Sequence, residues 1–387
     1  MKLIIIIPDG MGDVRYPKLD NLSPAEYADT PGLDKIVRRG QVGLAQTMVA
    51  GLPLGSLVGI LGLLGYPPLD YFPLGRSIFE ARALGIPLAA QDVAFRCNIV
   101  RLDRYQRLAD FTAGQISEAA AHDYLATVKL DAPFELYHDL SYRNVLIWRD
   151  CPFPAHELAL MEPHESIGQA IDTLLPRHRN RIHMPLTHLI RTSYCQGLML
   201  WPWGACQVAT LPPVSYRLTI VTALNFVSGL TQSVGGQAII PAGATGYLNS
   251  DLSAKCAALI DQLPELDVGV IHCNAPDEEA HIGSLAGKIR AIEAIDRLVI
   301  NPLLRYLDAS GEPYRLLVCP DHYTCCLDGR HRPDPVPFAV CGHHLTPNHH
   351  LNRYSETAIH RVVTNAIKSY DLISHLSGHH VQRQTTH

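Results

Sequence analysis

The chain has 387 residues, 47% of them hydrophobic and 18% charged, with a formal net charge of −5. That length exceeds what one core usually holds, so two domains, or one domain with a large insertion, are expected. The scattered Lys and Arg exclude a nucleic-acid footprint and a basic membrane patch, and the ten dispersed cysteines, without zinc-finger pairs or a secretory signal ahead of them, read as the reduced thiols of a cytoplasmic protein.

The first predicted strand is the apolar run 2–8, which ends in DGMGD. A second covers 41–48. GLPLGSLVGILGLLGYPP follows at 51–68, uncharged and with one hydroxyl, Ser56. A membrane span needs about 20 apolar helical residues. Pro53, the glycines at 51, 55, 59, 62 and 65, and Pro67-Pro68 break this stretch. What is left, 56–65, has the length of a buried core helix.

The middle of the chain changes character. A hairpin is predicted around 95–111, a helix at about 115–128, and two strands at FELYHDL and YRNVLIWR. These form an α+β module, inserted at 91–189, with the His- and Pro-rich stretch 152–190 as its return linker. Strand and helix patterns then alternate: strand 218–221, helix 223–235, strand 237–241, and helix 251–263 capped by Asp251. Strand 267–273 precedes a helix with Ile289, Ile292, Ile295 and Leu298 on one face. Strands 315–319 and 336–341 and a helix at 356–375 complete the core. The tail 376–387, which contains His379 and His380, has little to bury and is expected to be mobile. Alternating units imply an α/β fold, a mostly parallel sheet with helices on both faces, built from 1–90 and 190–375.

Four places put Asp or His just after an apolar strand. Asp9 follows IIIIP. Asp277 follows VGVIHCNAP, with His281 four residues on. Asp321-His322 follows RLLVCP, and His331 lies in the next polar loop. Ligands of open α/β sheets bind beyond the carboxyl ends of the strands, so these residues converge at one edge. Three Asp and three His suit one or two divalent metals, Mn²⁺ or Zn²⁺ rather than Ca²⁺. Any one of these signals would also fit a surface pair or a helix cap; their joint placement after separate strands points to metal. Ser56 reads in two ways. It is an N-cap, or a hydroxyl at a helix N-terminus that a metal could ionise for attack on phosphorus. No GxGxxG or GxxxxGK[ST] is present, which excludes the common nucleotide loops.

IIPDGMGD, GSLVGILGLLGYPP, GRSIFEARALGI, DVAFRCNIVRLD, AGATGYL, APDEEAHIGSLAGKIRAIEAID and PDHYTCCLDGRHRPDPVPF resemble, in order and over nearly the whole chain, the motifs of the archaeal-type cofactor-independent phosphoglycerate mutases of the alkaline phosphatase superfamily. The resemblance implies an alkaline-phosphatase-like fold and a small phosphate ester as substrate. It implies interconversion of 3- and 2-phosphoglycerate through a phosphoserine, without 2,3-bisphosphoglycerate. It implies that Asp9, Ser56, Asp321 and His322 hold one divalent ion (Mn²⁺, Zn²⁺ or Mg²⁺) and Asp277, His281 and His331 another. It further implies Ser56 as nucleophile, Arg76, Arg96 and Arg143 as ligands of substrate anions, and an inserted module that caps the substrate. The chain departs from the family where GSDTAHLALLGYDP is usual: Leu57 replaces an Asp and Ile60 a His. The RAGR segment is replaced near Thr112-Ala113-Gly114-Gln115. Two other readings therefore stay open: a phosphatase or phosphotransferase for another small ester, and a catalytically inactive metal-binding protein. The oligomeric state stays open as well.

Overall fold

The computed structural model describes residues 1–158, 160–175, 184–208 and 210–377. It divides into two compact units. One is Met1–Phe72 with Leu211 to the C-terminal end; the other is Pro73–Thr210.

In the first unit the apolar strand Lys2–Pro8 lies near the middle of an eight-stranded sheet. It pairs in parallel with Val268–Cys273 on one side and Tyr314–Val318 on the other. Leu218–Val221 and Gln237–Ile239 extend the sheet beyond Val268–Cys273, also in parallel. On the other side Val336–Gly342 runs antiparallel to both its neighbours, Tyr314–Val318 and Gln41–Gln46, and Ile367–Lys368 closes that edge. Continuous apolar runs such as Leu3–Ile7 are buried because helices cover both faces of such a sheet. Leu33, Ile36, Leu259, Ile292, Ile295 and Leu303 pack from helices onto it. Asp251 caps helix Leu252–Gln262, accepting from the Ala254 amide at 2.8 Å. Beyond Val268–Cys273 and the short helix Ala275–His281, helix Leu285–Ile295 buries Ile292 and Ile295, with Ile289 and Leu298 at the margin of the same cluster.

The uncharged segment forms the short helix Ser56–Leu63, whose residues from Leu57 onward are all buried. Among the described residues no helix is long and apolar enough to cross a membrane. All ten cysteines are free, and nine of them are buried.

The second unit is an antiparallel sheet around Val93–Leu102, which pairs with Leu108–Asp110, Arg143–Trp148 and Leu198–Gln207; Phe134–Leu140 lies outside Arg143–Trp148. This unit is wider at both ends than 91–189. Leu198–Gln207 pairs along nearly the whole of Val93–Leu102, and helix Ser77–Ala83 is included at the other end. The stretch 152–190 is no simple linker. Leu158, Leu160, Ile171, Leu174, Leu186 and Ile190 belong to this unit's core.

Two further expectations are corrected. The helix expected at 356–375 is split into Glu356–Val362 and Leu372–Ser377, with the edge strand Ile367–Lys368 between them. Val362, Val363 and Thr364 are β-branched and favour extended backbone at that break. The tail set at 376–387 begins later, because Leu376 is buried at the end of the second helix; 378–387 lie outside the described residues.

Candidate functional site

Three parallel strands side by side, Tyr314–Val318, Lys2–Pro8 and Val268–Cys273, end at the same sheet edge. Asp9 follows the middle one directly. Asp321 and His322 follow the first. Asp277 sits in the opening turn of helix Ala275–His281, after the third, with His281 one turn on. His331 comes from the short strand Arg330–Arg332, folded back antiparallel on Tyr323–Cys325. Ser56 is the first residue of its helix, after Gly55.

The Ser56 Oγ lies 3.3 Å from both carboxylate oxygens of Asp9 and 3.2 Å from His322 Nε2. His322 Nε2 is also 3.2 Å from Asp9 Oδ1 and 3.4 Å from Asp321 Oδ2. Thr324 donates to Asp277 Oδ1 at 2.5 Å, which leaves its oxygen to accept from His322 Nδ1 at 3.0 Å. The His322 ring is thereby turned with Nε2 toward Ser56 and the two carboxylates.

The second half of the cluster is built likewise. His281 Nδ1 faces the Gly329 carbonyl at 2.7 Å, and His331 Nδ1 the Leu54 carbonyl at 3.0 Å. A carbonyl only accepts, so both Nδ1 atoms carry the proton. In the neutral rings both Nε2 atoms then present lone pairs, 3.2 Å apart, and Asp277 oxygens lie 3.2 and 3.5 Å from them. Lone pairs and a carboxylate converging on one point call for a cation there.

The charged groups of the cluster shift one another strongly. Burial and the Asp277 charge push the Asp9 carboxyl up, but hydrogen bonds from His272 and His322 outweigh them and hold it at about 2. Burial, then the Asp9 charge, drive Asp321 well above the usual carboxylate range. Its Oδ1 accepts from the Gly10 amide at 3.1 Å, while its buried Oδ2 has no hydrogen-bond partner among the described residues. Burial opposes charge on His322, but Asp321, Asp9 and Asp277 raise it to about 10. The Asp277 bond raises His281 to about 9. Three overlapping donor sets result: Asp277 with His281 and His331, Asp9 with Asp277 and His322, and Asp9 with His272 and Asp321. An orphaned carboxylate oxygen and opposed imidazole lone pairs fit divalent cations.

The three arginines lie in the other unit. Arg96 and Arg76 flank Glu80, their Nε atoms each 3.2 Å from one of its oxygens. The Arg96 guanidinium stacks 4.2 Å over Trp203, whose Nε1 donates to Asn98 Oδ1. Burial, then the charge of Arg76, lowers Arg96 to about 10, and Arg143 adds to the effect. Arg143 stacks on Tyr142. Three guanidinium groups thus gather around Glu80, more positive charge than that one carboxylate balances.

Curated relatives match most of the chain's length. A protein from Methanosarcina barkeri is 32% identical, over 96% of this chain and 98% of its own. One from Methanothermobacter thermautotrophicus is 34% identical, over 88% and 89%. Both carry the name 2,3-bisphosphoglycerate-independent phosphoglycerate mutase. The chain belongs to that family. The family model of the same description matches residues 37–194. The fold is shared with a solved protein from Pyrococcus horikoshii, at TM-score 0.72, 23% identity and coverage of 97% of this chain and 95% of that one. It is shared also with the cofactor-independent phosphoglycerate mutase of Thermoplasma acidophilum, at TM-score 0.60, 19% identity and coverage of 97% and 98%.

Sequence reasoning about this phosphoglycerate mutase relative missed three residues. His272, fully buried, places Nε2 3.0 Å from Asp9 Oδ2 and Nδ1 3.2 Å from Thr222 Oγ1. Its signal was a lone imidazole inside the otherwise apolar strand VGVIHC. Thr324 links His322 to Asp277. Lys288, with no exposed side-chain surface, lies 3.1 Å from Asp13 Oδ2 and donates to the carbonyls of Gly12 (2.9 Å) and Thr324 (2.6 Å). It ties the loop after Asp9 to the strand Tyr323–Cys325 that follows His322.

Proposed function

We propose that this chain interconverts 3- and 2-phosphoglycerate through a phosphoserine at Ser56. The observation that carries the reading is the Ser56 hydroxyl held between Asp9 and His322, in a chain whose family is named for that reaction. Asp9, Ser56, Asp321 and His322 are the residues that would hold one divalent cation, and Asp277, His281 and His331 the other, Mn²⁺ or Zn²⁺ by donor type. Cations there supply charge neutralisation for phosphate and a lowered pKa for the serine hydroxyl.

The chain's own residues do the rest. Asp9 and His322 fix the Ser56 oxygen, and the proton it gives up ends on the departing glycerate oxygen. Ser56 Oγ bonds to phosphorus as the bond from phosphorus to the glycerate oxygen breaks, and that oxygen takes up a proton. The neighbouring glycerate hydroxyl then loses its proton and attacks the same phosphorus, which frees Ser56. Arg76, Arg96 and Arg143 are the proposed partners of the substrate's carboxylate and phosphate, since a guanidinium fork suits both.

A second reading rests on Leu57 and Ile60, both buried and apolar beside the nucleophile. Without polar groups there, glycerate retention weakens and water can take the phosphoryl group. Incubation with 3-phosphoglycerate and Mn²⁺ separates the readings. The mutase yields 2-phosphoglycerate, and Ser56→Ala removes at least about 1,000-fold of the rate. Free phosphate without 2-phosphoglycerate selects the phosphatase. A wild-type protein no more active than Ser56→Ala on any phosphate ester leaves an inactive metal-binding protein.

A further inference from the structure

A second group of metal-ligating side chains lies in the Pro73–Thr210 unit. Glu118 and His122 stand one turn apart on helix Glu118–Leu125, and His138 lies on strand Phe134–Leu140. One ligand atom from each falls within 4.8 Å of the others. His138 Nε2 is 2.9 Å from Glu118 Oε2, and the His122 and His138 rings meet edge to face with centroids 4.8 Å apart.

The ligands are oriented from behind. Asn144 is buried, and its amide nitrogen donates to the carbonyls of Cys97 at 3.1 Å and Tyr142 at 3.3 Å. Those two acceptors decide which way the amide points. Its oxygen therefore faces His138 Nδ1, 2.8 Å away, and accepts from it. His138 is left with Nε2 turned to Glu118 and His122. A hydrogen bond that fixes one ring nitrogen while the other faces the ligands is the usual support of a metal-binding histidine. Glu118 is fixed as well: Oε1 accepts from the Ser141 amide at 2.5 Å, so Oε2, paired with His138 Nε2, is the oxygen that faces the cluster. Glu118 and His122 are exposed, which lets water complete a coordination shell.

We propose that Glu118, His122 and His138 form a zinc site, built from none of the residues around Ser56. Two imidazoles and one carboxylate are a donor set that Zn²⁺ takes readily, with water in the fourth position. Tetrahedral bonds of about 2.0–2.1 Å set the donors about 3.3 Å apart, so small rotamer changes close the site. Zinc there cross-links the helix to the Phe134–Leu140 and Arg143–Trp148 hairpin and stabilises that unit by mass action.

Equilibrium dialysis of the full chain against Zn²⁺ tests this. His122→Ala is expected to hold one Zn²⁺ per chain fewer than wild type, and Glu118→Gln to bind the same equivalent at least about tenfold more weakly. Asp123→Ala, on the same exposed helix, is expected to keep it. Wild-type stoichiometry and affinity in both His122→Ala and Glu118→Gln overturn the proposal, as does an equal loss in Asp123→Ala.

Discussion

A methyl group added at residue 59 would lie 2.5 Å from the Asp321 carbonyl oxygen and 2.8 Å from its Cβ. The glycine spacing of the uncharged helix thus has a job, letting it touch the strand end that carries Asp321. Gly59→Ala should push the helix away and carry Ser56 with it. Overpacking of this kind costs about 1–3 kcal/mol, so calorimetry should show a lower Tm and dialysis a weaker hold on Mn²⁺. An unchanged Tm and affinity would refute the close approach. Gly10 is under the same constraint, with φ +59° and the oxygens of Thr324 and Asp277 within 2.6 Å of any added carbon. At this scale much was legible in the sequence. Asp9, Asp277, Asp321 and His322 each follow an apolar strand, and parallel strands bring their ends together. His272 was not, because a single imidazole within an apolar run looks like core until its partner is known.

Helix Glu356–Val362 opens with a buried acid. Burial pushes the Glu356 carboxyl up to about 8, and Glu26 and Asp13 add to it against Ser23 and Lys288. The unfolded chain releases this proton near the ordinary 4.5, so between those values the folded state binds more protons. Stability therefore falls as pH rises from about 4.5, and the loss is complete above about 8. Glu356→Gln has no proton to lose. Its stability relative to wild type should grow across that window, by on the order of a few kcal/mol. Urea unfolding at pH 5 and at pH 8.5 reads this directly, and equal differences at the two values would contradict it. Elements were unevenly legible. Apolar runs such as Val268–Cys273 read cleanly. Leu198–Gln207 did not, since Pro202 and Gly204 interrupt its pattern and its partner strand lies about 100 residues earlier. Pairing at that separation leaves no local trace. The same holds for Glu118, His122 and His138, whose meeting depends on a helix and a hairpin finding each other.

For the whole molecule, three carboxylates and four imidazoles crowd one sheet edge. Removing divalent ions with a chelator should lower Tm, and Mn²⁺ at 100-fold over its dissociation constant should restore about 2.7 kcal/mol, while far-UV circular dichroism stays the same. A Tm indifferent to chelator would remove the metal assignment. The division into a core and an insertion was visible as a change of rhythm along the chain, from alternating strand and helix to hairpins. The limits of the insertion were not, because its last strand is recruited by sheet pairing and its linker by hydrophobic contacts.

Lys288 adds a different consequence. It is a cationic side chain that no chelator can strip, buried beneath the loop after Asp9 and the strand after His322 and bonded to both. The bed for the removable cations is therefore shaped by a permanent one. Lys288 braces the two segments that carry these ligands independently of any divalent cation, so metal uptake is expected to be an act of docking and not of folding.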